Sequence, residues 1–444
     1  MKNLYILTIL AGLMASCESF LDEQPVDLIT TDQVIIDAGS AETAVLGIYS
    51  RLQIDNMYGN DLVNLPAVAS DEFVHSGSFP SIAEVDDNSI SSNNATIDDP
   101  WLSSYTGIFQ CNNVLEIVEG NEELPGFTDD TRNEILGQAR FLRALLHFNL
   151  ANIYGPVPLI ESTDLELTSN ATRTAKADVL DFVLAETRLA ASELENADFE
   201  NQNQFKATFW AAKALEARTL LYQGDVAGAG VVADFIIENG DFDLAETYSE
   251  LFQPGPTVNN EIIFSIFFSA ADQNGIAFQF LPDGRFEFAV SPQLLSALTA
   301  DADDSRADLV ALNEGDAEGR FFINKYTDVS TGTDGFVVFR LAEMYLIRAE
   351  ANLGTPAAVA DINAVRTRAG AAPISSATID AVLNERFVEF FAEGHRWFDL
   401  IRTDNAVPVM SSINSGFTSD DTLFPVPNRD ILQNPNLLPQ NSGY

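Results

Sequence analysis

Lys206-Ala-Thr-Phe-Trp-Ala-Ala-Lys-Ala-Leu-Glu-Ala-Arg-Thr-Leu-Leu-Tyr222 is followed by Gly224-Asp225, then by Val226 to Asn239, then by Gly240. Far along the chain the same grammar returns. Arg340 to Leu353 reads as a helix, Gly354-Thr355 as a turn, Pro356 to Ala369 as a second helix, and Gly370 as its stop. The glycines stand sixteen residues apart in both copies, 224 to 240 and 354 to 370. Glycine fits a left-handed turn after the first helix. Asp225 or Thr355 can cap the second, and Pro356 sits where its missing N–H costs nothing. Ala211, Ala214 and Ala217 in one copy, and Ala349 and Ala351 in the other, allow two helices to approach closely. A helical hairpin of about 34 residues with small residues at its contact is a tetratricopeptide-like pattern, and distant copies imply a solenoid interrupted by insertions.

Working outward, other helices fall into place. Ser40 to Leu52 keeps a helical period, with Ser40 as a candidate cap. Trp101 to Val118 forms another. Asp130-Thr131 are candidate caps for a long helix ending at Tyr154, where Leu142, Leu146, Leu150 and Ile153 make an apolar stripe and Gly155-Pro156 stops it. Residues 59–100 differ: Ser, Asn and Asp abound, Pro66 and Pro80 interrupt, and no period lasts, which predicts a long loop of the kind that is often functional. Residues 260–338 are mostly non-helical by pattern. Glu261 to Phe268 reads as a buried strand, and Ala277 to Leu281 and Arg285 to Val290 alternate like strands. Four prolines in Leu423 to Tyr444 predict an extended cap over the helices. The expected fold is mainly α, with about four hairpin units and an irregular, partly β half. The units are expected near residues 40–55 with 101–118, 131–195, 206–240 and 340–370.

The first residues carry an address. Lys2 precedes the apolar run Leu4 to Ala15, which breaks at Ser16-Cys17. About twelve residues span roughly 18 Å as a helix, too short for a bilayer core of about 30 Å. The stretch therefore reads as a secretory signal over residues 1–16. Met14-Ala15-Ser16-Cys17 resembles a lipoprotein lipobox, which makes Cys17 the lipidated first residue of the mature chain and 17–26 an acidic tether. The alternative is an ordinary signal peptide with an incidental cysteine. Residues 27–444 are then one domain. Cys111 is the only other cysteine, so a lipidated Cys17 leaves no intramolecular disulfide.

Asp and Glu number 66 against 23 Lys and Arg, a formal charge of −43. Nucleic acid is excluded as a partner, and an anionic polymer would need a basic patch that the sequence does not display. Of Phe 31, Tyr 10 and Trp 3 most are expected in the core, and a few exposed ones would supply flat apolar faces for a sugar ring or another protein.

Four blocks together resemble the SusD/RagB family of Bacteroidetes surface lipoproteins. They are Gln138 to Ile160, Phe339 to Ala351, Asn384 to Arg402 (with Glu393-Gly-His-Arg-Trp397), and Leu423-Phe-Pro-Val-Pro with Asn434-Pro-Asn-Leu and the ending Gln440 to Tyr444. The resemblance implies an outer-membrane protein, lipid-anchored and facing the cell exterior. It further implies capture of oligosaccharide or polysaccharide, less often peptide, and delivery to a TonB-dependent SusC-like transporter. It implies no cofactor and no catalysis; a surface glycoside hydrolase is the competing class.

For glycan binding the resemblance points to residues 59–100, where Phe79 in Ser76-Gly77-Ser78-Phe79 falls where many relatives carry a tryptophan. Asn88 joins it, and Phe280, Phe286 and Phe288 are candidates from the other irregular segment. Burying about 100 Å² of apolar area per stacked ring is worth roughly 2–3 kcal/mol before ordering costs, so an arc of several rings is expected. Trp101, Trp210 and Trp397 are expected in the core.

Catalytic signatures are missing from the sequence: there is no HExxH, no Walker loop and no G-x-S-x-G. His147 is expected to be packed, and His395 to be structural. Asp301 to Asp308 is acid-rich, but Arg306 stands where an EF-hand requires glycine, so helix-end charge is the reading and no metal is expected. Arg140, Arg143, Glu385, Arg386, Arg396 and Asp399 are expected to form ion pairs that join helices.

Overall fold

A computed structural model describes residues 35–195 and 203–444. Cys17, the signal segment and the tether lie outside the described residues. The described residues are 55% helix and 6% strand. Four hairpins form its frame: α1 (Ala38–Gln53) with α2 (Ala95–Gly120), α3 (Asp129–Tyr154) with α4 (Lys176–Leu194), α5 (Phe209–Gln223) with α6 (Val226–Asn239), and α7 (Leu341–Ala351) with α8 (Pro356–Arg368). α2 also packs on α3, α4 on α5 and α6 on α7, so the hairpins stack in sequence order. α9 (Ile379–Glu389) closes the stack against α7 and α8.

The turn chemistry is the one the repeats imply. Gly224 and Gly354 have φ of 85° and 77°. Asp225 accepts from Gly228 N at 2.9 Å, and Thr355 Oγ1 accepts from Ala358 N at 3.2 Å. Close contact is real: a Cβ added at Gly230 on α6 would lie 2.4 Å from Ala351 Cβ on α7. Two caps differ from expectation. Asp37 caps α1, with Ser40 as the reciprocal member of a capping box, and Thr128 caps α3. In each case the capping residue lies two or three positions upstream of the one expected, because the helix winds back to the first side chain able to reach an N3 amide.

Both insertions fold onto each other beside the stack. β1 (Phe73–His75) pairs antiparallel with β3 (Phe288–Val290), Phe73 facing Val290 and His75 facing Phe288. β2 (Ile262–Ile266) pairs with β6 (Phe336–Arg340), and β4 (Val310–Leu312) with β5 (Phe321–Ile323).

Residues 59–100 are not a long loop. They hold a helix at Asp61–Val68, β1, a helix at Pro80–Asp86 and the first turns of α2. In Asp61–Val68 every residue from Leu62 onward is buried, and a helix buried all round shows no polar face and hence no period. Ala277 to Leu281 is likewise not a strand; Ile276–Phe280 is a helical turn burying Ile276, Ala277 and Phe280 while Phe278 faces out. The proline-rich end is partly as expected. It lies on the helices, Phe424 N donating to Ile153 O at 2.9 Å and Asn441 Nδ2 to Tyr154 O at 2.9 Å, but it contains a short helix at Asn428–Gln433.

Charged side chains join the elements. Arg143 pairs with Glu186, Arg140 with Glu186 and Glu193, Arg386 with Asp399 at 2.7 Å, and Arg396 with Asp71 at 2.6 Å. Arg306 is fully buried and is held by Asp304, Glu385 and Glu389. Of the acidic run, Asp304 alone pairs with this arginine, and it also caps the turn Ser305–Leu309, a helix-end role. Among the described residues no His, Cys, Asp and Glu cluster is placed to hold a metal ion.

Candidate functional site

The β1–β3 ribbon brings the end of one insertion, Ser76 to Phe79, against Arg285 to Phe288 of the other. Its anchor is Glu287, whose side chain is only 2% exposed. Glu287 Oε2 meets His75 Nε2 at 3.1 Å and accepts from Ser78 N at 3.2 Å, while Oε1 accepts from Arg285 Nε at 3.2 Å. Ser76 N donates to Glu287 O at 2.8 Å, and Ser76 Oγ to Phe286 O at 2.6 Å. This lattice of bonds fixes the turn that carries Phe79.

Phe79 is half-buried, and the Arg285 guanidinium lies 3.9 Å from its ring centroid. Such a cation–π stack is worth about 0.5–1 kcal/mol when exposed. The Nη1 and Nη2 groups of Arg285 have no hydrogen-bond partner among the described residues, so the fork is free to donate. Beside it Arg320 donates to Ser76 O at 3.2 Å, forks onto Asp316 and stands 5.6 Å from the Phe286 ring. That fork holds the Asp316 carboxyl down at about 2. Burial pushes Asp86, which accepts from His75 N, up to about 6.

The five candidate rings and amides separate into two sets. Phe79 and Phe286 border one surface, Phe286 at φ 52° and mostly covered. Phe280 and Phe288 do not reach it: they are fully buried and pack with Phe73 at centroid distances of 4.8 and 5.4 Å along the chain of rings. Phe288 faces the core on β3, which is buried along its whole length, and Phe280 on the helical turn Ile276–Phe280, whereas Phe286 lies just before β3 at positive φ. Asn88 is buried at a left-handed position, donating to Ala69 O at 2.9 Å, and acts as a turn residue. The expected arc of rings is thus one half-exposed ring, a guanidinium plane and serine hydroxyls. Arg285, Glu287 and Arg320 were not singled out from the sequence. The available signal was the charged partner set of the Arg285-Phe-Glu-Phe alternation.

Other candidates sit as structural groups. Trp101 and Trp397 are buried and Trp210 is half-buried. His147 is buried: its Nδ1 donates to Arg143 O at 2.9 Å, its Nε2 accepts from Ile160 N at 3.3 Å, and burial pushes its pKa down to about 4. His395 is buried beside Arg386, and burial together with surrounding cations keeps it neutral.

With this geometry in hand, comparison with known proteins adds the following. A family model described as "SusD family" matches residues 313–444, and one described as "Starch-binding associating with outer membrane" matches residues 19–221. SusD-like protein P38 of Formosa agariphila is 27% identical over 99% of this chain and 98% of its own length. A solved structure described as a laminarin-binding SusD-like protein superposes with TM-score 0.83 at 23% identity, covering 92% of this chain and all of the other. The surface glycan-binding protein A of Bacteroides thetaiotaomicron, solved with laminarihexaose, superposes with TM-score 0.77 at 19% identity, covering 91% and 99%. No helix among the described residues is long and apolar enough to cross a membrane.

Proposed function

The chain belongs to the SusD/RagB family, and we propose that it is a non-catalytic glycan-capturing member of it. In this reading acyl chains on Cys17 hold the protein on the outer face of the outer membrane. It captures oligosaccharide and passes it to a TonB-dependent SusC-like transporter. The observation that carries the reading is the Phe79–Arg285 stack, presented by two insertions that meet beside the helical frame. A flat apolar face suits one side of a sugar ring, and a free guanidinium fork suits adjacent hydroxyls. The charge of −43 favours an uncharged ligand, and the laminarin and laminarihexaose named for two structural neighbours make a neutral glucan the first ligand to try.

Affinity electrophoresis through gels containing laminarin, starch, xylan or alginate tests this. Retardation by a neutral polysaccharide is expected, weakened about tenfold or more in Phe79→Ala, corresponding to about 1.4 kcal/mol. Binding of peptides with no retardation by any glycan would make the protein a peptide collector on the same frame. Release of reducing ends during prolonged incubation would make it a hydrolase.

A further inference from the structure

At the opposite end of β3 from Arg285 the chain enters a cleft of about 810 Å³. It lies between the helix Pro292–Leu298, the loop around Asp301, α8 and α9. That volume is within the range of small-molecule sites, about 300–1,000 Å³. None of Phe79, Arg285, Phe286 and Arg320 lines it, so the cleft is distinct from the Phe79 surface.

Its walls are a floor of apolar groups, including Ala297, Ile362, Phe387 and Val388, and a rim of Gln293, Ser296 and Asn384. The three rim side chains are exposed and make no hydrogen bond among the described residues. The charges in the lining are otherwise engaged. Arg306 is held by three carboxylates. Arg366 donates to Glu385 and to Ala372 O, both at 2.7 Å. Arg396 forks onto Asp71 at 2.6 and 2.7 Å and lies 4.0 Å from the Phe387 ring centroid. Asp301 accepts from Ala372 N at 2.7 Å.

We propose that this cleft is a second saccharide site, taking a neutral unit of one or two sugar rings. An anionic ligand would find every lining arginine already paired with carboxylate. A purely apolar ligand would bury the two amides and the hydroxyl of the rim without partners, at a cost of about 1–3 kcal/mol each. A neutral polyol satisfies both demands, laying its C–H face on the floor and its hydroxyls on Gln293, Ser296 and Asn384. The site stands independently of the Phe79 surface, so either can fail alone.

Saturation-transfer NMR on the full soluble chain with laminaribiose, cellobiose, maltose and glucuronic acid tests it. Ser296→Trp fills the cleft from an exposed helix position, and Asn384→Leu removes one rim amide while leaving the space. Thermal denaturation checks that both variants remain folded. The expected result is transfer to at least one neutral disaccharide that survives Phe79→Ala and falls tenfold or more in both cleft variants. The proposal is overturned by no transfer to any neutral disaccharide, by transfer unchanged in the cleft variants, by loss in Phe79→Ala, or by glucuronic acid binding more tightly than the neutral sugars.

Discussion

Arg218 of α5 forks onto both carboxylate oxygens of Glu343 on α7, at 2.7 and 2.6 Å, and its second terminal bond reaches Val338 O at 2.6 Å. The two helices belong to consecutive hairpins whose sequences are separated by an insertion, so this pair fastens the third repeat to the fourth. Both residues are buried. Removing one partner leaves the other charged, dry and unpaired, a loss of about 3–5 kcal/mol. Glu343→Ala and Arg218→Ala should each lose about that much in chemical denaturation. Arg218→Met with Glu343→Leu should lose less than either single variant, since no orphan charge remains.

That pair also marks what the sequence could and could not convey. Hairpin spacing and turn residues announced both repeats, because a glycine at left-handed φ and a cap three residues before an amide are local requirements. Nothing local tells Arg218 that its partner stands 125 residues away. The ion pairs of Arg140, Arg143, Arg386 and Arg396 were legible as a class, since so many charges inside helical blocks need partners, but the partners themselves come only from the stacking. The candidate site was half legible. Phe79 and Phe286 border one surface, whereas the helical turn Ile276–Phe280 buries Phe280 and the pairing of β3 with β1 buries Phe288 in a strand covered along its whole length. The helix Asp61–Val68 left no trace because burial on nearly every side erases the period, and Pro80–Asp86, with only Ile82 and Val85 buried, is too short to establish one.

Glu72, just before β1, is fully buried; one of its oxygens accepts from Ala392 N. Burial pushes its carboxyl up to about 8, Asp71 adds to the rise, and Lys325 and Arg396 oppose it. The folded state therefore keeps a proton that the unfolded chain releases near 4.5. The stability this confers is complete below that value and drains away as pH rises toward 8. His147 slopes the other way, but only between about 4 and 6.5. Asp61, which burial pushes up to about 7, slopes the same way as Glu72 below that value, so the Glu72 effect is separable from pH 7 to 8. Glu72→Gln mimics the protonated acid, so its melting temperature should fall less than that of the native chain over this window. An equal fall in both proteins would refute the assignment.

Cys111 on α2 is fully buried, and burial pushes its thiol up to about 12. At pH 8 the thiolate that alkylating reagents attack is scarce, and access is closed. Iodoacetamide should leave Cys111 unmodified in the native protein and modify it once guanidinium unfolds the chain. Metabolic labelling with an alkyne fatty acid should then report Cys17 alone. Cys17→Ala should abolish incorporation and release the protein from cells, while Cys111→Ala should leave both unchanged. Retention of Cys17→Ala on cells would remove the lipid anchor from the proposed function.

Gly77 tests the turn that presents Phe79. A Cβ added there would lie 1.8 Å from Glu287 Oε2 and 2.2 Å from its Cδ. A carboxylate at the end of a free side chain could swing away, but this one is held by His75, Ser78 N and Arg285 and is almost wholly buried. Gly77→Ala must therefore break those bonds or push the Ser76–Phe79 turn off the ribbon, at a cost of about 1–3 kcal/mol. Arg285 would lose the carboxylate that aims it over Phe79. The expected outcome is a modest fall in melting temperature with a loss of glycan retardation comparable to Phe79→Ala. Glu287→Ala combined with Gly77→Ala separates the steric effect from the positional one. If the turn needs only room, the double variant recovers binding. If Glu287 holds Arg285 and Ser78 in the binding geometry, as its three bonds indicate, the double variant regains stability relative to Gly77→Ala but stays unable to bind.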